Sequence, residues 1–301
     1  MKFALSTMWW EQDGASFATL AQRTRALGFA HVELGYRLTE EALPAVDAAL
    51  AKSGLAVSSI HAPFPGPPGP SPLRQADLSS PDPEVRRRAE ALVNRSLREA
   101  ATRGARVVVV HAGNIEALYA TEKELDRLFE AGCHNSPEYT RLREELWRQR
   151  EALAPQYLER LYDALSRLCA EAQALGVSIA LENRAHFRDL PSLPEMGKLL
   201  ETFAPAVGYW HDAGHAYRLE AMGFWPQEGW LRAYGGYLLG THLHDCVGLN
   251  DHRPPGDGNI PFRQLAPLFP VDAWRVVEVD AAYGEGALAS GVAYLRSVGV
   301  L

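Results

Sequence analysis

A chain of 301 residues with 47% hydrophobic content can bury a large core, and α/β barrels reach this length as one unit. A net charge of −7 gives no global basic field, which counts against a nucleic-acid partner without removing the option of a local basic groove. Cys133, Cys169 and Cys246 are widely spaced with no CxxC pair, and no apolar run approaches ~18 residues. A disulfide framework and a membrane span are therefore not expected, and a reducing, cytoplasmic setting is. Met1-Lys2-Phe3 leads into a short strand followed by Glu11 and Asp13, which does not read as a signal peptide.

From the N-terminus onward, strand and helix signals alternate. Runs of β-branched and aliphatic residues lie at 3–7, 32–36, 56–60, 106–110, 178–181, 207–210, 238–243 and 275–279. Amphipathic segments with apolar residues three and four apart lie between them, at 17–27, 41–52, 84–103, 158–175 and 193–203. Gly28, Gly54, Gly104 and Gly176 each stand where a helix should stop before a strand. Strict βα alternation implies a parallel sheet, and eight units imply closure into a single (β/α)8 TIM barrel occupying 1–301 as one domain. Two loops exceed simple connectors. Residues 64–73 (FPGPPGPSPL) form a stiff irregular loop expected on the rim, and 114–155 contains a charged, helical stretch at 141–151 anchored by Trp147. That second stretch reads equally as a lid, an oligomer contact or an embellishment, so a homo-oligomer stays open.

The chemistry sits where the strands run out. Leu181-Glu182-Asn183, Asp212-Ala213-Gly214-His215, His242-Leu243-His244-Asp245 and Val277-Glu278-Val279 recur at roughly 30-residue intervals, about one βα unit. Side chains two apart share a strand face, so Glu182, Asp212, His244 and Glu278 are each the outermost polar member of their strand end. A barrel brings these ends to one rim. Three carboxylates converging there would repel one another and raise one another's pKa, a penalty that a bound dication removes. Three carboxylates and an imidazole are mostly hard ligands, which suits Mn²⁺ first, then Mg²⁺, Co²⁺ or Zn²⁺. His61, His111, His215 and His252 follow the same pattern, and together suggest a second metal position or donors to an oxygen-rich ligand.

These residues resemble the xylose-isomerase-like TIM-barrel superfamily, which includes inosose dehydratases, hydroxypyruvate isomerases, ketose 3-epimerases and endonuclease IV. The resemblance runs over most of the chain and includes DLSSPDPEVR at 77–86 and PPGDG at 254–258. It implies a metal held by Glu182, Asp212, His244 and Glu278, with Glu182 and Glu278 also shuttling the substrate proton. The implied reaction is isomerisation or epimerisation of a sugar or related polyol or keto compound through enediolate-type proton transfer. Trp9, Trp10 and Phe64 are candidates for an apolar wall against a sugar, and Glu33 for substrate contact or a buried ion pair. His252 stands about where ketose 3-epimerases carry a substrate-binding arginine, and Arg253 is adjacent. The competing reading is an endonuclease IV-like nuclease, whose three metals would use residues matching His61, His111, Glu182, Asp212, His215, His244, His252 and Glu278. Asn250 departs from that pattern, where an aspartate is expected. A non-catalytic sugar-binding barrel is the third reading. Isomerisation, epimerisation and dehydration share their first proton abstraction, so the rim alone does not separate them.

Overall fold

The computed structural model describes residues 2–10, 15–69 and 71–301. Met1, Glu11, Asp13 and Pro70, named in the sequence readings above, lie outside the described residues. Eight strands form a closed parallel barrel: β1 (Phe3–Ser6), β2 (His31–Leu34), β3 (Ala56–His61), β4 (Val107–Val110), β5 (Ser178–Glu182), β6 (Val207–Asp212), β7 (Leu238–Leu243) and β8 (Trp274–Val277). Each pairs with its neighbours in chain order, and β8 closes on β1 through Phe3↔Arg275, Ala4↔Val276 and Leu5↔Val277. The expected runs thus become strands, with ends shifted by at most two residues. β4 shows why. Its four valines are all buried, as a parallel strand covered on both faces demands.

Inside the barrel, Ala4, Val107, Val109, Ala180, Trp210 and Val276 pack together as an apolar plug. Trp210 fills the centre because Gly240 on the next strand has no side chain; a Cβ there would collide with the indole ring. Two residues further along their strands, Ala180, Trp210 and Val276 give way to Glu182, Asp212 and Glu278. The period of two thus stacks a polar layer directly above the plug.

Ten α-helices are found among the described residues: α1 (Phe17–Ala26), α2 (Leu43–Ser53), α3 (Pro83–Thr102), α4 (Tyr119–Glu130), α5 (Pro137–Leu175), α6 (Leu193–Phe203), α7 (Ala213–Ala221), α8 (Gln227–Tyr234), α9 (Phe262–Leu265) and α10 (Glu285–Ser297). α2 and α5 end at Gly54 and Gly176, both left-handed at φ 68° and 63°. The main departure is α5, a 39-residue helix that joins the charged 141–151 stretch to 158–175 straight through Pro155. A proline inside a helix costs about 3 kcal/mol. Here burial on both sides holds the helix together: Leu146, Arg150 and Ala154 before the proline, Tyr157 and Leu161 after it. The Arg150 guanidinium adds a two-pronged pair with Glu195 and donates to the carbonyls of Phe187 and Asp189. Pro155 itself is exposed, so Pro155→Ala is expected to raise stability by about 1–3 kcal/mol, visible as a higher melting temperature. An unchanged or lower melting point would mean that the local backbone is not regular helix.

The inserted α4 is tied to the rim. Buried Glu122 accepts from the Phe187 amide and the Arg188 guanidinium, and Asp126 pairs with Arg218, which also reaches the Leu249 carbonyl. The proline-rich loop does lie at the rim: Gly66 donates to the Leu38 carbonyl, and Leu73 lines a cavity described below. A hairpin absent from the sequence reading, Asp245–Val247 against Asn250–Arg253, follows β7.

Candidate metal centre and active site

Glu182, Asp212, His244 and Glu278 meet at the C-terminal mouth of the barrel, and none is more than 5% exposed. Each is held by its own surroundings. Asn183 fixes the ends of β5 and β6 together, donating to the Asp212 carbonyl while its side-chain oxygen accepts from the Asp212 amide and the Tyr209 hydroxyl. Asp212 caps α7 by accepting from the His215 amide at 2.7 Å, where the helix's positive end favours a carboxylate. His244 donates from Nε2 to Asp212 (3.0 Å), and its Nδ1 accepts the His252 amide at 2.8 Å. Glu278 accepts from the Ser6 hydroxyl at 3.3 Å.

Gly214 makes room for His244. A Cβ at position 214 would collide with the imidazole ring. Gly214→Ala should therefore leave α7 intact, since alanine favours helix, yet push His244 off Asp212. Displacing a ligand's support typically costs 10–100-fold in metal affinity, about what a Mn²⁺ titration should show. Wild-type affinity in this variant would mean that His244 is not a ligand.

His242 occupies the centre of the cluster. Its Nδ1 lies 2.8 Å from Glu182 Oε1, 3.3 Å from Glu278 Oε2 and 3.6 Å from Asp212 Oδ2, while Nε2 lies 2.8 Å from Glu33 Oε1. Burial opposes a charge here, but Glu278 and Glu33 outweigh it and keep the ring protonated. Burial likewise pushes Glu182 up, but His111 and Arg184 outweigh it and hold its carboxyl well below the usual range. Arg184 Nη1 and His111 Nε2 lie 2.9 and 2.6 Å from Glu182 Oε2. For Asp212, burial is overcome by His215 and His244. Burial pushes the His111 and His215 rings down from the usual imidazole range, against the pull of Glu182 and Asp212.

Five carboxylates at the site (Glu33, Glu182, Asp212, Asp251, Glu278) thus face three cations, His242, Arg184 and His252, whose ring, against burial, Asp251 and Glu278 push above the usual imidazole range. The excess is two negative charges, which one dication cancels. Asp212, His244 and Glu278 offer ligand atoms all within 4.8 Å of one another; Glu182, Asp212 and His242 do the same, as do His61, His111 and Glu182, and His215, His244 and His252.

The histidines expected at the rim are all there. His61 and His111 pack edge to face at 4.6 Å beside Glu182. His252 stacks on His244 at 4.2 Å, and its backbone is left-handed at φ 55°, a strained conformation for a residue other than glycine. Other candidates sit elsewhere. Trp9 is fully buried and donates to the Tyr283 carbonyl, Trp10 is buried and donates to Thr24, and Phe64 is buried beneath the Arg103 guanidinium. These rings complete the core, because the turn after β1 and the loop after β3 fold inward. Glu33 is also fully buried, with both oxygens taken by Ser59 and His242, so it underlies the centre and does not face an opening. Arg253 is committed to Asp257 in the PPGDG loop, which Asp245 organises by accepting from the amides of Cys246, Gly256 and Ile260.

Arg184, His242 and Asp251 were missed as site residues. Arg184 follows the Glu182-Asn183 motif directly, and His242 shares a strand face with His244, so proximity in sequence was their signal. Two openings reach the cluster. A cavity of about 250 Å³ begins at His111 and Arg184 and is bounded by Asp77, Asn114, Arg188 and Asp189. A cleft of about 10 Å³, room for about one water, reaches Glu278 from the opposite side past Ser6, Tyr36 and His61.

Solved structures with this architecture include a D-psicose 3-epimerase of Clostridium cellulolyticum H10 in complex with D-tagatose. It is 18% identical to the chain, with a TM-score of 0.67 over 100% of both chains. A 3-keto-D-glucoside 4-epimerase of E. coli is 18% identical, with a TM-score of 0.69 over 99% of both. An L-ribulose 3-epimerase is 19% identical, with a TM-score of 0.65 over 99% of this chain and 94% of that one. At these identities the likeness establishes the fold. No curated protein sequence matches the chain. The family profile described as xylose isomerase-like TIM barrel matches residues 21–298, and the chain belongs to that family.

Proposed function

We propose that the protein is a divalent-metal-dependent isomerase or epimerase of a sugar or related polyol or keto compound. The observation that carries this reading is the buried cluster of carboxylates, two negative charges in excess, beside a cavity of about 250 Å³ lined by charged residues such as Asp77, Arg184, Arg188 and Asp189. The solved relatives of this fold named above act on sugars, which supports the same substrate class.

Glu182, Asp212, His244 and Glu278 would hold the ion, and their mostly oxygen character favours Mn²⁺ over Mg²⁺, Co²⁺ or Zn²⁺. When bound, the dication supplies a Lewis acid that polarises a carbonyl oxygen. The protein's own groups do the rest. Glu278 lines the narrow cleft, while Glu182 lies directly behind His111 and Arg184, which line the cavity, so the two carboxylates stand on different flanks of the centre. Arg184 and His111 keep Glu182 ionised. The alternation of guanidinium, amide and carboxylate in the cavity wall matches a polyhydroxylated molecule, each hydroxyl both donating and accepting. Arg184 is the cation of the cavity wall that pairs with Glu182.

Residues 1–301 form one domain in this reading, and the three free cysteines accord with a reducing, cytoplasmic setting. Among the described residues no helix is long and apolar enough to cross a membrane. The test is conversion of a ketose and aldose panel by the purified, Mn²⁺-loaded protein, with a chelator control. Conversion of any member that the chelator stops supports the reading and disposes of a non-catalytic sugar-binding barrel.

One observation favours the nuclease as a second reading. Although Asn250 breaks the expected pattern, the Asp251 carboxylate lies 2.8 Å from His252 Nδ1 and 3.9 Å from His215 Nε2. Donors for a further cation near these histidines are therefore present. Incision of an abasic-site duplex that disappears in His252→Ala, with no conversion in the sugar panel, would decide for the nuclease.

A further inference from the structure

Beneath the ligands lies a chain of hydrogen bonds that crosses the barrel. Ser59 on β3 donates to Glu33 Oε2 at 2.7 Å, and Glu33 Oε1 on β2 accepts from His242 Nε2 at 2.8 Å. His242 on β7 then directs its Nδ1–H at Glu182 on β5 and at Glu278 just past β8, at 2.8 and 3.3 Å. The imidazole cannot swing: it stacks on His61 (5.6 Å, 5° between planes) and meets the Trp210 ring edge-on at 5.2 Å. Ser59, Glu33 and His242 have essentially no exposure, and neither Glu33 nor His242 lines the cavity or the cleft described above.

Stability alone does not account for this layer. Buried ion pairs contribute little compared with well-packed apolar side chains of similar volume, and the layer immediately below is apolar. What the chain of bonds does accomplish is mechanical. Glu182 and Glu278 come from strands three apart in chain order, carry like charge, and would spread apart without a donor between them. A single N–H, fixed from behind, supplies that donor.

We propose that Glu33 is a positioning residue of the metal centre: acting through His242, it sets the spacing of the Glu182 and Glu278 carboxylates. The proposal rests on the reading of those two glutamates as metal ligands.

The experiment is Mn²⁺ titration of the full chain, followed by the electron paramagnetic resonance of the free ion, with the metal-free melting temperature measured alongside. Glu33→Leu keeps the volume and removes the acceptor. It should raise the Mn²⁺ dissociation constant about 10–100-fold, the usual cost of losing a ligand's outer support. Glu33→Gln retains an oxygen that accepts from His242 and should restore near wild-type affinity, a rescue that general core damage would not give. A folded Glu33→Leu protein with wild-type affinity overturns the proposal. Should that variant not fold, Glu33→Asp decides: it keeps the charge but is one methylene too short to reach His242. Weakened Mn²⁺ binding in it supports the proposal and unchanged binding overturns it. Glu182→Ala separates the two levels. If it loses Mn²⁺ while Glu33→Leu does not, only the positioning role fails; if Glu182→Ala binds as wild type, the metal reading fails and this proposal with it.

Discussion

Glu278→Gln is expected to lower kcat about 10²–10⁴-fold, the usual worth of a positioned acid–base group. An amide oxygen can still serve as a ligand and still accept from the Ser6 hydroxyl, so the metal dissociation constant and KM should change far less than kcat. What the amide cannot do is take a proton from carbon or return it. The site makes this separation readable, because Glu278 opens onto the narrow cleft while His242 steadies its other flank. A variant with turnover close to wild type would remove Glu278 from proton transfer. A variant that loses metal and turnover together would show that its role is ligation alone.

Saturating Mn²⁺ is expected to stabilise the protein strongly. A ligand present at a thousand times its dissociation constant and bound only by the folded state adds about 4 kcal/mol. For a domain of this general size that corresponds to a melting-temperature rise on the order of 10 °C. The cause is the two uncompensated negative charges among Glu33, Glu182, Asp212, Asp251 and Glu278. Chelation should reverse the rise, and Asp212→Ala should abolish it by removing both a ligand and the cap of α7. A rise that persists in Asp212→Ala would place the ion elsewhere.

The barrel was legible in the sequence because its signals are local. Runs such as Val107–Val110 admit little but a strand buried on both faces, and Gly54 and Gly176 mark helix ends by the left-handed backbone they supply. The four ligand candidates were legible for a related reason: a strand's period of two carries Ala180 to Glu182 and Val276 to Glu278, from plug to rim.

What depends on depth and on loop direction was not legible. His242 and His244 share a face, and only the stacking of layers decides that one is locked among carboxylates while the other meets the hairpin. Arg184 stands two residues after Glu182 and pairs with it, yet an arginine just past a strand end turns to solvent as readily as to a carboxylate, so its nearness alone did not assign it. Asp251 reaches His215 and His252 through a hairpin whose strained His252 backbone no propensity would have suggested. Trp9, Trp10 and Phe64 were ambiguous for a physical reason: a large apolar side chain at a strand end serves a core as well as a pocket wall. Here the core claimed all three. Pro155 misled in the same way, since local propensity predicts a break where burial along α5 sustains one helix.

Proton transfer at carbon is read most directly as hydrogen exchange with solvent. Ketoses incubated in D₂O with the Mn²⁺-loaded protein should acquire deuterium at a carbon beside the carbonyl, seen by nuclear magnetic resonance. The exchange should stop with chelator and fall sharply in Glu278→Gln. Absence of exchange in every sugar tested, together with metal-dependent incision of an abasic-site duplex, would contradict the account.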